Sequence, residues 1–187
     1  MSRFVIVSGL PASGKSTVGR AIASGLGLPF LDKDVVLESS FERITPFDAI
    51  GRSDLSRLAD EAFRAQALGS ACGVLVSWWR HALSAAESGT PTQWLASLPG
   101  AIVEVHCLCA PLVAAKRFVA RIRHSGHLDG RRSLAELLVQ FNEHAVHGPL
   151  GFGSLVEIHT DEAVNNNDLL RQINQAFEAS RHAQPAA

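Results

Sequence analysis

The stretch "RFVIVSGLPASGKSTVGRAIASGLG", residues 3–27, determines which fold this sequence can adopt. Its first six residues form an apolar, β-branched run, as expected of a strand buried on both faces of a sheet. Its last thirteen residues place Val18, Ile22 and Leu26 at a spacing of four, which predicts an amphipathic helix ending at Gly27. Between strand and helix lies a turn with the pattern Gly-x-x-x-x-Gly-Lys-Ser.

This turn has the composition of a phosphate-binding loop. Gly9 and Gly14 let the backbone turn its N–H groups inward, and the start of the following helix adds its positive dipole end. The Lys15 ammonium would contact the β- and γ-phosphates, and the Ser16 hydroxyl would bind Mg²⁺. The predicted nucleotide-binding residues are Gly9, Pro11, Ala12, Ser13, Gly14, Lys15, Ser16 and Thr17. The motif therefore predicts a site for a nucleoside triphosphate with Mg²⁺.

Strand-length and helix-length patterns alternate along the rest of the chain. Further apolar runs of strand length lie at residues 29–32, 72–77, 101–109 and 154–160. Helical patterns lie at residues 53–70, from 111 onward, at 133–145 and at 167–180. This alternation predicts an α/β fold with a five-stranded parallel sheet, because parallel strands need crossover connections.

Composition narrows the class of protein. The 187 residues suit one domain, and the net charge of −1 provides no extended basic field, so nucleic acid is not an expected partner. No apolar run approaches the roughly 20 residues of a membrane span. Three cysteines with no further pair for a zinc site indicate reduced thiols in a cytoplasmic protein. We expect one domain over residues 1–180, a frayed tail at 181–187, and a monomer or homodimer.

Two features distinguish among the classes of nucleotide-binding protein. The Asn-Lys-x-Asp motif by which GTPases read guanine is missing from the sequence, which favours ATP. The third predicted strand ends at Ser77, where motor and transporter ATPases usually have an aspartate that holds Mg²⁺ through water. These two features favour a small-molecule kinase.

Three stretches also resemble a known group of proteins. They are "GLPASGKST" at 9–17, "FLDKDVVLE" at 30–38 and "CAPLVAAKRFVARIR" at 109–123. They are similar to the small P-loop kinases grouped with chloramphenicol phosphotransferase, gluconate kinase, zeta toxins and the kinase domain of polynucleotide 5′-kinase. The resemblance implies a three-layer P-loop NTPase sandwich of the nucleoside- and shikimate-kinase type. It also implies a central phosphate-loop strand and a helical lid near residues 117–132.

The resemblance implies catalytic roles for four residues: Lys15, Asp34, Arg117 and Arg121. Asp34 would be the base for the acceptor hydroxyl, with Asp32 as the rival, and an alternative role for Asp34 is a helix N-cap. Arg117 and Arg121 would neutralise the transferring phosphoryl group. Their spacing, shared with His124, predicts one helix face, for which a solvated basic face is the alternative.

The acceptor should contact the irregular segments 40–52 and 80–100 and the helix between them, since the second and third strands end there. We expect Arg57 and Arg80 to bind it. Other polar residues offered by this region are Arg52, Arg64, Gln66 and His81. Aromatic walls could come from Trp78, Trp79 and Trp94, which could equally be core residues. His124 and His127 could ligate a metal, although phosphate contact or turn structure is the stronger interpretation.

Together these patterns predict an ATP-dependent phosphotransferase. It would move the γ-phosphoryl group of Mg·ATP to a hydroxyl of a small molecule, either a sugar-like metabolite or an antibiotic. Two alternatives stay open at this point. One is a polynucleotide 5′-hydroxyl kinase, which would need a basic channel. The other is a zeta-like toxin or a non-catalytic nucleotide-binding module.

Overall fold

Five parallel strands form one sheet in the computed structural model, which describes residues 2–41, 49–85, 87–122, 124–127 and 132–182. The strands are β1 (Arg3–Gly9), β2 (Phe30–Asp32), β3 (Cys72–Val76), β4 (Ala101–Leu108) and β5 (Ser154–His159). Their order is β2-β3-β1-β4-β5, so the phosphate-loop strand β1 is central. The predicted parallel sheet is confirmed, and each strand lies where an apolar run predicted it.

Six α-helices connect or flank the strands. They are α1 (Lys15–Leu26), α2 (Lys33–Phe41), α3 (Ala49–Leu68), α4 (Pro111–Ala120), α5 (Leu134–Ala145) and α6 (Asn166–His182). Gly27 ends α1 with φ of 63°, the left-handed conformation that glycine adopts without a Cβ penalty. None of the described helices is long and apolar enough to cross a membrane.

Two helix boundaries differ from the sequence predictions. Residues 40–52 are not irregular throughout: the first two close α2 and the last four open α3, while 42–48 lie outside the described residues. The amphipathic pattern failed to mark these ends because residues 49–52 are only weakly apolar. The tail predicted at 181–187 is also shorter, since α6 continues to His182 and 183–187 lie outside the described residues.

Alternate residues of β1 face two different helical layers. Val5 and Val7 pack in a core with α1 and α6, whereas Phe4 and Ile6 pack in a second core with Phe63 of α3. All four side chains of β1 are fully buried. A strand covered on both faces reads as a continuous apolar run, and this is why β1 does. The resulting three layers match the predicted sandwich.

The sheet register brings the carboxyl ends of three strands to one edge. Val7 of β1 pairs with Val76 of β3, which pairs in turn with Asp32 of β2. The chain then leaves β1 at Gly9, where φ is 129° and a Cβ would stand 2.6 Å from the carbonyl oxygen of Cys107. Only glycine fits there, so the phosphate-loop glycine is required by the sheet itself.

Candidate active site

A cleft of about 720 Å³ opens at the carboxyl edge of the sheet. It is lined by the loop after β1, the first turn of α2, one side of α3, residues 76–78, 80 and 87–89, and the end of α4 with the segment that follows. This volume and this position are typical of small-ligand sites in open α/β sheets. We therefore ask which of the predicted nucleotide and acceptor residues line this cleft.

The loop after β1 presents backbone N–H groups to the cleft. Gly14 caps α1 with φ of 96° and supplies no side-chain hydrogen bond. Ala12 is the one described non-glycine residue with positive φ, at 60°. The first N–H groups of a helix have no intrahelical partner, so α1 begins with donors available for an anion. This geometry fits a polyphosphate.

Two backbone carbonyl groups of the loop hold the Lys15 side chain. Its ammonium donates to the carbonyl oxygens of Gly9 at 3.0 Å and Leu10 at 2.6 Å. Only 7% of the residue is exposed, and burial lowers the pKa of Lys15 to about 8. A phosphate beside the ammonium would favour its charged form, so ligand binding and protonation are coupled here.

Asp32 organises the metal side of the cleft. One carboxylate oxygen accepts from the Ser16 hydroxyl at 2.8 Å, and the other accepts from the Asp34 backbone N–H at 3.0 Å. Burial, followed by the nearby Asp34 charge, raises the pKa of Asp32. The capping contact that the sequence offered for Asp34 is thus formed by Asp32. Asp34 instead lies in the first turn of α2 and lines the cleft.

The Ser16 hydroxyl and the Asp32 carboxylate suit Mg²⁺ better than a metal whose ligands all come from the protein. A hydroxyl beside one carboxylate suits Mg²⁺, which keeps several waters and shares its ligands with phosphates. Within the described ranges, no three His, Cys, Asp or Glu side chains converge to hold a metal ion. Ser16 and Asp32 would therefore hold Mg²⁺ together with the phosphates of a nucleotide.

The two histidines near the predicted lid have another role. His127 pairs with Glu38 at 2.7 Å and lies edge-on to the Phe41 ring. The His124 ring stacks on the same Phe41 ring, with 5.1 Å between the ring centroids. A Cβ on Gly126 would stand 2.7 Å from the same ring. Residues 124–127 therefore pack on α2, the helix that carries Asp34.

Arg117 and Arg121 both reach the cleft, but not as one helix face. Arg117 lies in the last turn of α4 and donates to the carbonyl oxygens of Thr160 at 2.8 Å and Asp161 at 2.9 Å. Arg121 follows the helix in extended conformation, with its guanidinium 4.0 Å from the Phe118 ring centroid. The predicted shared face with His124 is wrong, because α4 ends before Arg121.

The acceptor candidates divide into those that line the cleft and those that do not. Arg57 lines it and pairs with Asp54, although its side chain is 74% exposed. Arg80 also lines it, with Nη2 donating to the carbonyls of Glu87 and Gly89. The others that line the cleft are Arg52 and Trp78, whereas those outside it are Arg64, Gln66, His81, Trp79 and Trp94.

The tryptophans separate in the same way. Trp79 and Trp94 are buried in the core between the sheet and α3, so they are not walls of the cleft. The Trp79 indole N–H donates to the Val7 carbonyl at 2.8 Å. Trp78 is half-buried and lines the cleft.

Sequence reasoning missed a buried polar chain on the acceptor side. Lys33 pairs with Asp60 at 3.3 Å and donates to Ser56 at 2.7 Å. Thr90 donates to the same Asp60 at 2.7 Å and bonds Ser77 at 2.6 Å. Ser77, which stands where ATPases have aspartate, thus joins this chain.

The sequence marks only one residue of this chain of contacts, Lys33. Burial lowers the pKa of Lys33, and the nearby Asp60 charge partly opposes this effect. Lys33 stands between two acidic residues in the sequence, which could have marked it. Asp60 and Thr90 are far from it along the chain and belong to no motif.

Comparisons with known proteins agree with this architecture. The shikimate kinase family model matches residues 11–53. A shikimate kinase from Mycobacterium avium is 40% identical over 67 residues, covering 35% of this chain and 38% of that protein. One from Mycobacterium tuberculosis strain ATCC 25177 is 39% identical over 77 residues, covering 40% and 43%. The matched part thus spans less than half of these relatives.

Solved structures resemble the whole chain. A provisionally assigned kinase from Chloroflexus aurantiacus has a TM-score of 0.75 at 23% identity, covering 96% of this chain and 97% of that one. A gluconokinase from Sinorhizobium meliloti has a TM-score of 0.59 at 21% identity, covering 97% and 95%. A shikimate kinase from Bacteroides thetaiotaomicron has a TM-score of 0.63 at 16% identity, covering 95% and 99%. The predicted resemblance to small P-loop kinases is confirmed.

The Lys15 environment predicts a pH dependence of nucleotide affinity. Above pH 8, near its pKa of about 8, the Lys15 side chain of the free protein loses its charge. Part of the binding free energy of Mg·ATP must then be used to protonate Lys15. We expect affinity to fall roughly tenfold per pH unit above that value, down to the affinity of neutral Lys15. Calorimetric titration between about pH 7 and pH 9.5 measures this. Lys15→Ala should bind more weakly and without this slope, and an equal slope in both proteins would contradict the assignment.

The raised pKa of Asp32 predicts a gain of stability on its removal. The folded protein retains a proton that the unfolded chain has already lost, so stability falls as pH rises between the two pKa values. Asp32→Asn can keep both hydrogen bonds without the charge. We expect a higher melting temperature near pH 7 and no difference in strong acid. Asp54→Asn, which alters an exposed carboxylate, is the control, and a gain there of equal size would refute the burial argument.

Proposed function

We propose that this chain, which has the fold of the small P-loop kinases, transfers the γ-phosphoryl group of Mg·ATP to a hydroxyl of a small molecule. The observation that carries the proposal is that the phosphate loop and Asp34 line one cleft. A module that only bound nucleotide would need no carboxylate beyond the metal site. Here the cleft has Asp34 in addition to Asp32, beside an acceptor region lined with cations.

The division of labour between the two carboxylates follows from their contacts. Asp32 uses one oxygen for Ser16 and the other for the start of α2, which ties it to the metal side. Asp34 is therefore the base that accepts the proton of the acceptor hydroxyl. General-base assistance requires this proton to leave as the oxygen attacks phosphorus.

The cations around the cleft offset charge on the transferring group. Lys15 would contact the β- and γ-phosphates, while Arg117 and Arg121 line the cleft from the end of α4. Phosphoryl transfer depends mainly on positioning and charge stabilisation, so pre-placed cations lower its barrier. The contacts of Arg117 with the carbonyls after β5 fix its guanidinium before any ligand binds. Ser16 and Asp32 would hold Mg²⁺, which would withdraw charge from the phosphates.

The acceptor side favours a small hydroxylated acid. Two backbone carbonyls hold the Arg80 guanidinium without cancelling its charge. Arg52 and Arg57 line the same cleft, and these three cations suit a carboxylate. The resemblance to proteins named shikimate kinase and gluconokinase supports this class over an antibiotic. An extended basic channel for a polynucleotide is not suggested by a net charge of −1.

The test of this function is Asp34→Asn. This change keeps the shape of the side chain and removes the base. We expect Mg·ATP affinity and melting temperature close to those of the wild type, while phosphorylation of hydroxy acids such as shikimate or gluconate falls by roughly 10²–10⁴-fold. Asp168→Asn, which alters an exposed carboxylate of α6 outside the cleft, should leave turnover unchanged. Full turnover in Asp34→Asn would move the base elsewhere, with Asp32 as the next choice.

A further inference from the structure

A second cavity, of about 100 Å³, lies beside the phosphate loop. It is bounded by the end of β1, the end of β4, the last turn of α5 and the segment after β3. Trp78 lines this cavity and also the main cleft, and its ring contacts His144 of the cavity lining, so Trp78 stands where the two spaces meet. The cavity is unusual in composition, because its lining includes His81, His106, His144 and His147.

Hydrogen bonds fix one wall of this cavity. The His81 Nε2 donates to the Pro149 carbonyl at 3.0 Å, while its Nδ1 accepts from the Leu83 backbone N–H at 3.1 Å. This pattern defines a neutral ring with both nitrogens engaged. The His147 ring stacks on it at 5.1 Å with only 8° between the planes. This wall is therefore rigid and polar.

The opposite wall carries an acceptor atom that the fold leaves available. The Ser8 hydroxyl donates to buried Glu104 at 2.6 Å, so its oxygen accepts from the His106 Nδ1 at 2.8 Å. Burial lowers the pKa of His106, which keeps the ring neutral and leaves Nε2 as an acceptor. Glu104 is held in turn by the backbone N–H groups of residues 150–152. Fixed polar groups of this kind distinguish the cavity from a packing defect, whose lining would be wholly apolar.

The backbone of Trp78 is fixed by a hydrogen bond, whereas its ring is held by packing. The Thr90 N–H donates to the Trp78 carbonyl at 2.7 Å, and neighbouring Trp79 is fixed by its indole bond to Val7. In the described part of the chain the Trp78 indole N–H forms no hydrogen bond, and its ring contacts His144 edge-on at 5.5 Å. The indole is therefore held in place by its packing against His144.

We propose that the histidine-lined cavity is a second compartment of the acceptor site and that Trp78 is the partition that sets acceptor size. The inference rests on the proposed function, since it concerns the same acceptor. The compartment would take a hydroxylated substituent, whose O–H donates to the His106 Nε2. With the indole in its present position, the main cleft admits only acceptors that end at its ring.

Removal of the indole tests this partition. Sugar acids of increasing length serve as probes: glycerate, gluconate, glucoheptonate and the disaccharide acid lactobionate. We expect Trp78→Ala to raise kcat/KM for lactobionate relative to gluconate by roughly ten- to hundredfold, the range over which pocket size discriminates substrates. Mg·ATP affinity should not change. An unchanged ratio would overturn the proposal.

A second substitution, which fills the cavity from its far side, tests whether the gain in Trp78→Ala comes from access to this cavity. The alternative is a general loosening of the cleft. Ala145, at the end of α5, lines the cavity, and its neighbour Val146 is 80% exposed and does not. In the Trp78→Ala background, Ala145→Phe should abolish the gain with lactobionate, whereas Val146→Phe should preserve it. Equal effects of the two phenylalanines would also overturn the proposal.

Binding keeps this test separate from that of the proposed function. Calorimetry with Mg·ADP present measures the affinity for the four acids without turnover. Size-dependent binding that Trp78→Ala relaxes, with no phosphorylation, would support the partition and refute the kinase activity. Phosphorylation with the same size limit in both proteins would support the kinase and refute the partition. Binding of none of the acids to either protein would count against both.

Discussion

The absence of a side-chain cap at the start of α1 is the constraint on which the site depends. Gly14 provides no oxygen for the first N–H groups of the helix, which therefore face the cleft as donors. This arrangement is possible because β1 is central, buried on both faces, and leaves the sheet at a glycine that the Cys107 carbonyl requires. The energetic cost of uncapped donors is offset when an anion binds. Local destabilisation of the protein and the proposed affinity for phosphate would thus have the same origin.

Asp32 shows the same relation between stability and function. Its carboxylate starts α2 by accepting the Asp34 N–H and also positions the Ser16 hydroxyl. Burial makes the charged form of this group costly, yet a bound Mg²⁺ needs that charge. The same helix α2 contacts residues 124–127 through Glu38 and Phe41. The proposed base, the proposed metal side and part of the predicted lid are consequently joined through a single helix.

The sequence predicted most of the fold because most strand residues are apolar and the phosphate loop has a fixed spacing. It placed Asp34, Arg117 and Arg121 at the cleft through motif resemblance, but it misjudged where α4 ends, since nothing in its composition marks Ala120 as the last residue. It missed the Lys33–Asp60–Thr90–Ser77 chain because these contacts join residues distant along the chain. Trp78 and Trp79 could not be distinguished from sequence, since only packing decides which neighbour is buried.

The central claim is that this cleft moves a phosphoryl group from ATP to an acceptor hydroxyl. Incubation with γ-labelled ATP and Mg²⁺, together with hydroxy acids, sugars, nucleosides and 5′-hydroxyl oligonucleotides in turn, tests it most directly. We expect label to appear as a phosphate ester on a small hydroxy acid, with one ADP formed for each ester. Label found only in inorganic phosphate, or on none of the acceptors while ATP binds at the phosphate loop, would contradict it.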